Sequence, residues 1–405
     1  MKYIIWYRRY SDLDHTLPIA NLLLDSGISY KNIEITDLDI DKSAINIKND
    51  KKVIHLKKKK IKINQNIFSS HFIKFREFLI NYNNSIYTKL FVFLTLKFID
   101  FLKDTIFKAK IVFYSFRHNG NAKFICDTGS LPIYIFLSKI SRKNRINLAA
   151  VPHGLWLHRG FKDQKLNELV FGGEGDYFSH FSEIILNDKL SSSFHSNKNK
   201  IKILGSVRYS KKWLIQLNKI YKPANVYKYE NKVKVLLMLE KKGENSSDKF
   251  IPYYDYSGLI KTIEVLHEQK NIELIIKLHP SSYKTNYPEL KKYRLLDVTD
   301  KFETFELIKS SDIVLTLVTT AVIDALMLNK KIAILNYLTM FKPVVVEYFV
   351  EMNIESLKDL TSFINSQNER DLNLFEKNFE KFYKEFISDN SVSVEKRYFE
   401  YLREI

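Results

Sequence analysis

The chain has 405 residues, 45% of them hydrophobic, which leaves room for two domains of roughly 200 residues with a core in each, and argues against wholesale disorder. Its formal charge of +18 comes mostly from Lys amid abundant Asn, Ile, Phe and Tyr, the mixture an AT-rich genome encodes; with no recognition helix, zinc-finger spacing or aromatic RNA-binding signature beside it, nucleic acid is not an expected partner. The single cysteine, Cys126, excludes an intrachain disulfide, a zinc–thiolate cluster and a thiol pair.

Residues 1–7 predict a buried strand, because the apolar run closed by Arg8 and Arg9 is too short for a signal peptide. No stretch approaches the ~20 apolar residues of a membrane span, so a cytosolic protein is expected, at most peripheral on the cytoplasmic face of the inner membrane. Residues 15–27 predict a helix stopped by Gly27, and residues 32–65 short strands. The run Lys57-Lys58-Lys59-Lys60 reads as a solvated hairpin edge protected by charge, or as a membrane-surface patch. Residues 88–108 predict an amphipathic helix: Phe91, Leu94, Phe98, Ile99 and Leu102 share a face, with Lys97, Asp100, Asp104 and Lys108 on another. A core helix accounts for that pattern, and membrane docking is the alternative.

Strand and helix then alternate. Lys110–Tyr114, Phe124–Asp127, Asn147–Pro152, Glu183–Leu186 and Lys202–Leu204 predict strands, a helix starts near Ser130, Asp188–Lys200 is a loop, and residues 214–231 read as a linker. A second series follows: strands at Lys232–Glu240, Ile272–Leu278, Asp312–Val318 and Lys331–Leu335, helices at Ser257–Glu268, Phe302–Lys309 and Thr319–Asn329, and a charged helical end over 355–405. Two such series predict an α/β protein with two doubly wound parallel sheets whose strand carboxyl ends line one cleft. The domains are placed at 1–220 and 221–385, with 386–405 a terminal helix packing back on the first domain.

Four strand ends carry residues able to do chemistry. Val151-Pro152-His153-Gly154 offers an imidazole for proton transfer or anion binding, or a histidine satisfied by backbone in a turn. Ile276-Lys277-Leu278-His279-Pro280 puts two cationic donors on one face, which suits a phosphate, or simply ends a strand. Val318-Thr319-Thr320 opens a helix, as caps or as hydroxyls and amides aimed at an anion, with Asp324 one turn further in. Cys126-Asp127-Thr128-Gly129-Ser130 offers Asp127 as a general base or as a helix cap. Gly172-Gly173-Glu174-Gly175-Asp176 reads as a cleft loop carrying two acids. No Gly-x-Gly-x-x-Gly or Walker motif is present. Asp37-Leu38-Asp39 is read as a turn rather than a metal clamp, so no metal and no cofactor is expected.

In order, His153-Gly154, Gly205-Ser206-Val207-Arg208-Tyr209, Lys277-Leu278-His279-Pro280 and Thr319-Thr320 form a set. The set resembles bacterial capsule and lipopolysaccharide glycosyltransferases of the GT-B fold, foremost those using CMP-activated acidic sugars (sialic, pseudaminic or legionaminic acid, or Kdo); teichoic acid polymerases share the His-Gly and His-Pro signals. The resemblance spans roughly residues 124–340. It implies a metal-independent transfer of an acidic sugar from a CMP-sugar to a hydroxyl of a glycan or lipid-linked glycan. His279, the amides near Pro280, Lys277, Thr319 and Thr320 would hold the phosphate, with Ser206 and Arg208 from the shared motif. Asp127, His153 and Glu174 are the candidate catalytic groups, Asp127-Thr128-Gly129 and Glu174-Gly175 each matching only part of the family's acidic motif. Rival readings are a CDP-polyol phosphotransferase, a UDP-sugar 2-epimerase whose acidic and histidine cluster is not evident here, and a basic membrane-surface or nucleic-acid binding module.

Overall fold

The computed structural model describes residues 1–7, 10–37, 50–64, 122–127, 147–151, 157–164, 184–186, 201–246, 249–280, 282–297, 300, 302–366, 372–388 and 392–404, with isolated positions between 94 and 117. The first half is built on strands β1 (Lys2–Tyr7), β2 (Ile33–Asp37), β3 (Lys62–Asn64), β4 (Ala122–Asp127), β5 (Asn147–Val151), β7 (Ile184–Leu186) and β8 (Ile201–Ile203), all parallel, in the order β3-β2-β1-β4-β5-β7-β8. Central strand β1 is buried over nearly its whole length, as a parallel strand covered on both faces must be. Helix α1 (Tyr10–Asp25) follows it and ends where Gly27 turns to φ 86°. There the Gly27 amide donates to the Leu24 carbonyl (2.9 Å) and the Ile28 amide to the Leu23 carbonyl (3.0 Å), closing the last turn.

Three expectations change here. The lysine run is no hairpin edge: Lys57 and Lys58 form the last turn of α2 (Lys51–Lys58), started by Asp50, whose carboxylate accepts from the Lys52 (2.6 Å) and Val53 (3.0 Å) amides. Cations at that end complement the helix dipole. Val112 and Phe113, the described residues of the strand expected over Lys110–Tyr114, are helical rather than extended. Residues 214–220 of the expected linker belong instead to helix α3 (Lys211–Ile220), capped by the Ser210 hydroxyl and burying Trp213 and Leu217.

The second half repeats the architecture. Strands β9 (Val233–Met238), β12 (Ile272–Lys277), β13 (Leu295–Leu296), β14 (Ile313–Thr316), β15 (Lys331–Leu335) and β17 (Asn353–Ile354) make a parallel sheet in the order β13-β12-β9-β14-β15-β17. Helices α4 (Tyr256–Glu268), α5 (Thr304–Ser310), α6 (Ala321–Met327) and α8 (Leu357–Asn365), with the single turn α7 (Val345–Tyr348), connect and cover it. Two apolar cores fill its faces, one around Leu236, Ile275 and Val314, the other around Val235, Leu237 and Ile276. Beyond the edge strands β13 and β17, the sequence reading also lacks a hairpin of β10 (Gly243–Ser246) and β11 (Lys249–Pro252), and the antiparallel pairing of β6 (His158–Phe161) with β16 (Phe341–Pro343).

The last two helices divide between the halves. Helix α9 (Leu372–Phe386) packs Phe375 and Phe382 on Phe349 of the second half. Helix α10 (Val394–Glu404) returns to the first, burying Val394, Tyr398, Tyr401 and Leu402 in the core that holds Ile5, Leu17 and Ile125. Among the described residues no helix is long and apolar enough to cross a membrane.

Candidate functional site

In each sheet the strand order reverses once, and ligands of doubly wound sheets bind at the carboxyl ends of the strands flanking that reversal. In the first sheet the chain runs β1-β2-β3 to one side, then β4-β5-β7-β8 to the other, which opens a crevice between β1 and β4. One residue beyond the pair Trp6↔Cys126, Asp127 closes β4 beside Tyr7. In the second sheet β9-β12-β13 runs one way and β14-β15-β17 the other, which opens a crevice between β9 and β14. Met238 pairs with both Lys277 and Thr316. Two residues further on, Glu240, His279 and Val318 therefore form one lateral row at the sheet's carboxyl edge.

The second crevice gathers most of the residues singled out in the sequence. His279 is half-buried, and Pro280 is exposed just past it; the His279 carbonyl accepts from the Ser282 amide at 2.8 Å. Thr319 and Thr320 are half-buried at the start of α6. Thr320 makes no side-chain cap bond, and the Thr319 hydroxyl accepts only a long 3.4 Å bond from the Ala321 amide, so capping leaves much of both hydroxyls' capacity unused. Lys277 is placed differently from a cation facing the cleft. It is buried, and its ammonium donates to the Asp297 carbonyl at 2.9 Å. Burial pushes its pKa down, opposed by Glu303, Asp300 and Asp297.

Glu240 belongs to this row and was not singled out in the sequence. Its Oε2 is shielded from solvent and has no hydrogen-bond partner. Burial pushes its carboxyl well above the usual carboxylate range, against the Val318 amide beside it. A neutral acid, unlike a carboxylate, does not repel a phosphate in the same crevice.

Across from this row, Gly205-Ser206-Val207-Arg208-Tyr209 joins the two halves. Gly205 sits at φ 87°, and a Cβ there would meet the Ile387 carbonyl at 2.3 Å, so glycine is required twice over. Ser206 is buried, and its amide donates to the Ile387 carbonyl at 3.0 Å. Arg208 reaches the opening turn of α6, where Nη2 meets Asp324 Oδ2 at 3.0 Å, and the Tyr209 hydroxyl donates to the Thr320 carbonyl at 3.2 Å. Burial pulls the Asp324 carboxyl up, countered by the Arg208 guanidinium. Asp14 of α1, ion-paired to the buried Lys52, lies within electrostatic reach of the same arginine. Burial would raise the Asp14 carboxyl, but Lys52, Arg208 and His15 together hold it down at about 2. Asp14 follows the carboxyl end of β1 and Asp324 that of β14. Arg208, between them, brings the two reversal points to opposite sides of one cleft.

The catalytic candidates are less fully placed. Asp127 sits at the first reversal point by its backbone. His153, Glu174 and the loop around Glu174 lie outside the described residues. The chain leaves the first sheet at Val151 and by Leu157 is beside the second half, where the Val344 amide donates to the Leu157 carbonyl at 2.8 Å.

No family model and no curated protein sequence matches the chain. Solved structures do. MnaA of S. aureus in complex with UDP superposes with a TM-score of 0.55 at 13% identity, over 100% of this chain and 98% of that one. The UDP-GlcNAc 2-epimerase of Methanocaldococcus jannaschii, in complex with UDP-GlcNAc and UDP, gives 0.55 at 14%, over 100% of both. The wall teichoic acid polymerase TagF with CDPG gives 0.51 at 12%, over 100% of this chain and 87% of that one. The fold is of the GT-B type. In a GT-B frame the β9–β14 crevice belongs to the second half and the β1–β4 crevice to the first, and Arg208 and Asp324 lie where they meet.

Proposed function

We propose that the chain is a nucleotide-sugar-dependent glycosyltransferase, and that its donor is a CMP-activated acidic sugar passed to a hydroxyl of a bacterial surface glycan or its lipid-linked precursor. One observation carries the reading: a row of Glu240, His279 and Val318, followed by Thr319 and Thr320, lies at the reversal point of the second sheet and is held against the first half by Arg208–Asp324. The acidic-sugar donor is favoured by the His-Gly, His-Pro and Thr-Thr set, and the fold's neighbours include proteins solved with UDP, UDP-GlcNAc and CDPG.

In the proposed reaction the acceptor oxygen attacks the anomeric carbon, the bond from that carbon to the phosphate oxygen breaks, and CMP departs with the electron pair. His279, the amides after it, and the Thr319 and Thr320 hydroxyls are preorganised donors for the phosphate charge. Lys277, anchored on Asp297, sets the loop that carries His279. Asp127, His153 or Glu174 takes the acceptor proton. Ser206 and Arg208 act through the fold, holding the Thr319-Thr320 helix in place rather than touching phosphate themselves. The reaction needs no metal and should persist in EDTA.

The test is thermal stabilisation by CMP, CDP, UDP, GDP and CDP-glycerol, with His279→Ala beside the native chain. A ligand that binds only the folded state raises its stability. Selective stabilisation by CMP, lost in the variant, supports the reading. In the CMP-sugar assay the same variant should lose ~10²–10³ in rate, as one charge-stabilising donor does. Selective stabilisation by UDP, with acceptor-free epimerisation of a UDP-sugar, would replace it with the epimerase reading, and by CDP-glycerol with the polyol-phosphate one.

A further inference from the structure

One member of the row at the second crevice has no part in the reaction so far. Strand order places β9 between β12 and β14, so Glu240 stands between His279 on one side and Val318-Thr319 on the other. Neighbouring strands are about 4.8 Å apart, which sets those two flanks about 10 Å apart. An anion that takes donors from both flanks therefore lies over Glu240. Oε2 of its carboxyl is shielded from solvent and has no hydrogen-bond partner, an unmet bond that a folded protein rarely leaves without a ligand, ion or water to complete it.

We propose that Glu240 donates a hydrogen bond to the phosphate of the bound nucleotide. The surroundings supply the proton that this requires. Val318, next to it in the row, packs on the apolar cluster of Phe161, Ile251 and Phe341. Lys242, two residues on, is engaged elsewhere: its ammonium lies over the Tyr256 and Tyr287 rings and donates to the Asn286 carbonyl at 3.1 Å. Among the described residues only the Val318 amide opposes the burial that keeps the carboxyl protonated. The other titratable groups about it are Tyr254 ahead of α4, near enough to feel its charge, His279 in the row and Lys241 next in the chain. In the acid form one carboxyl oxygen accepts from the Val318 amide, and the O–H of the other is left to donate. A carboxylic acid held neutral by an apolar site is an effective donor to an oxyanion, and the bond strengthens as charge gathers on the departing phosphate. Glu240 is then a binding residue and not the base of the reaction. Its role rests on the reading of this crevice as the phosphate site, whichever nucleotide is taken there.

The experiment is calorimetric binding of CMP, CDP and UDP to the full native chain, Glu240→Gln and Glu240→Ala, from about pH 6 to about pH 9, where buried glutamates titrate. The nucleotide that binds native chain most tightly is the probe, so a preference for UDP would revise the donor and still leave Glu240 on trial. Near pH 6 the alanine variant should bind the probe about 10–100-fold more weakly than native, the range of a hydrogen bond to a charged group. The glutamine variant, whose amide donates and never ionises, should bind better than alanine. His279 and the nucleotide titrate alike in all three proteins, so the ratio of native to glutamine affinity isolates Glu240. That ratio should fall as pH rises, because the native donor becomes a repelling anion. Unliganded melting temperatures report folding separately. An alanine variant that binds like native, a glutamine variant no better than alanine, or a ratio that does not fall with pH overturns the proposal. Absence of binding by every nucleotide overturns the reading of the crevice and the role of Glu240 with it.

Discussion

Arg208 and Asp324 lie 116 positions apart in the chain and 3.0 Å apart in space. Asp324 is buried and Arg208 nearly so, and one shielded atom on each, Arg208 Nη1 and Asp324 Oδ1, has no hydrogen-bond partner. Such a pair returns little net stability, yet each charge is costly without the other. Arg208→Ala should therefore destabilise the chain by about 3–5 kcal/mol, and Arg208→Met/Asp324→Leu by much less, in urea unfolding. A loss of only about 0.5 kcal/mol in the single variant, the scale of a surface pair, would show that water reaches the site. The arginine could be picked out from its motif, but its partner could not. Read alone, a strand-end Arg among glycine and hydroxyl residues looks like a phosphate ligand, and only the fold reveals a carboxylate buried against it. Glu240 escaped for a related reason. It follows an apolar strand and precedes Lys241 and Lys242, so in one dimension it looks like surface. The register with His279 and Val318 brings it to the crevice.

At the scale of elements, long apolar strands and their following helices were legible, because a buried parallel strand declares itself as an unbroken apolar run. The short strands were not. β6 reads His-Arg-Gly-Phe and β16 Phe-Lys-Pro, neither with a recognisable period, and their pairing is decided by the meeting of two domains. That pairing is a clasp. Arg159 holds Glu347 through two bonds of 2.7 and 2.8 Å, Phe161 stacks on Phe341 at 4.4 Å, and the His158 ring lies 4.4 Å from Phe341. Burial pushes the His158 imidazole down to about 4, and its Nδ1 accepts from the Gly160 amide at 3.0 Å, a bond that protonation there would break. With the folded pKa depressed, the unfolded chain takes the proton first. The stability His158 lends is complete above its unfolded value near 6.5 and drains as pH falls toward about 4, by at most about 3 kcal/mol. Urea midpoints of the native chain should fall across that window more steeply than those of His158→Gln. Parallel curves would remove His158 from the account.

At the scale of the whole molecule, the chain does not finish one half before beginning the other. It reaches the second half between Val151 and Leu157, is back in the first sheet by β7, crosses again after α3, and returns between α9 and α10. At this last crossing the Tyr398 hydroxyl donates to the Gly205 carbonyl at 3.2 Å, Lys123 donates to the Leu402 carbonyl, and the Ile387 carbonyl takes the Ser206 amide. The terminal helix expected from the sequence to pack back on the first domain thus completes the core of the first half. The four side chains α10 buries are each worth about 1.5–3 kcal/mol, which together rivals the 5–15 kcal/mol that holds a typical protein folded. Removing residues 389–405 should therefore unfold the first half at ordinary temperature. The second half, whose cores draw on α9 but not α10, should keep its structure. Limited proteolysis of the truncated chain should leave a resistant fragment beginning near Tyr221, and its thermal melt should show one transition smaller in enthalpy than that of the intact chain. A truncated chain that resists protease throughout and melts like the intact one would mean that the first half stands without α10.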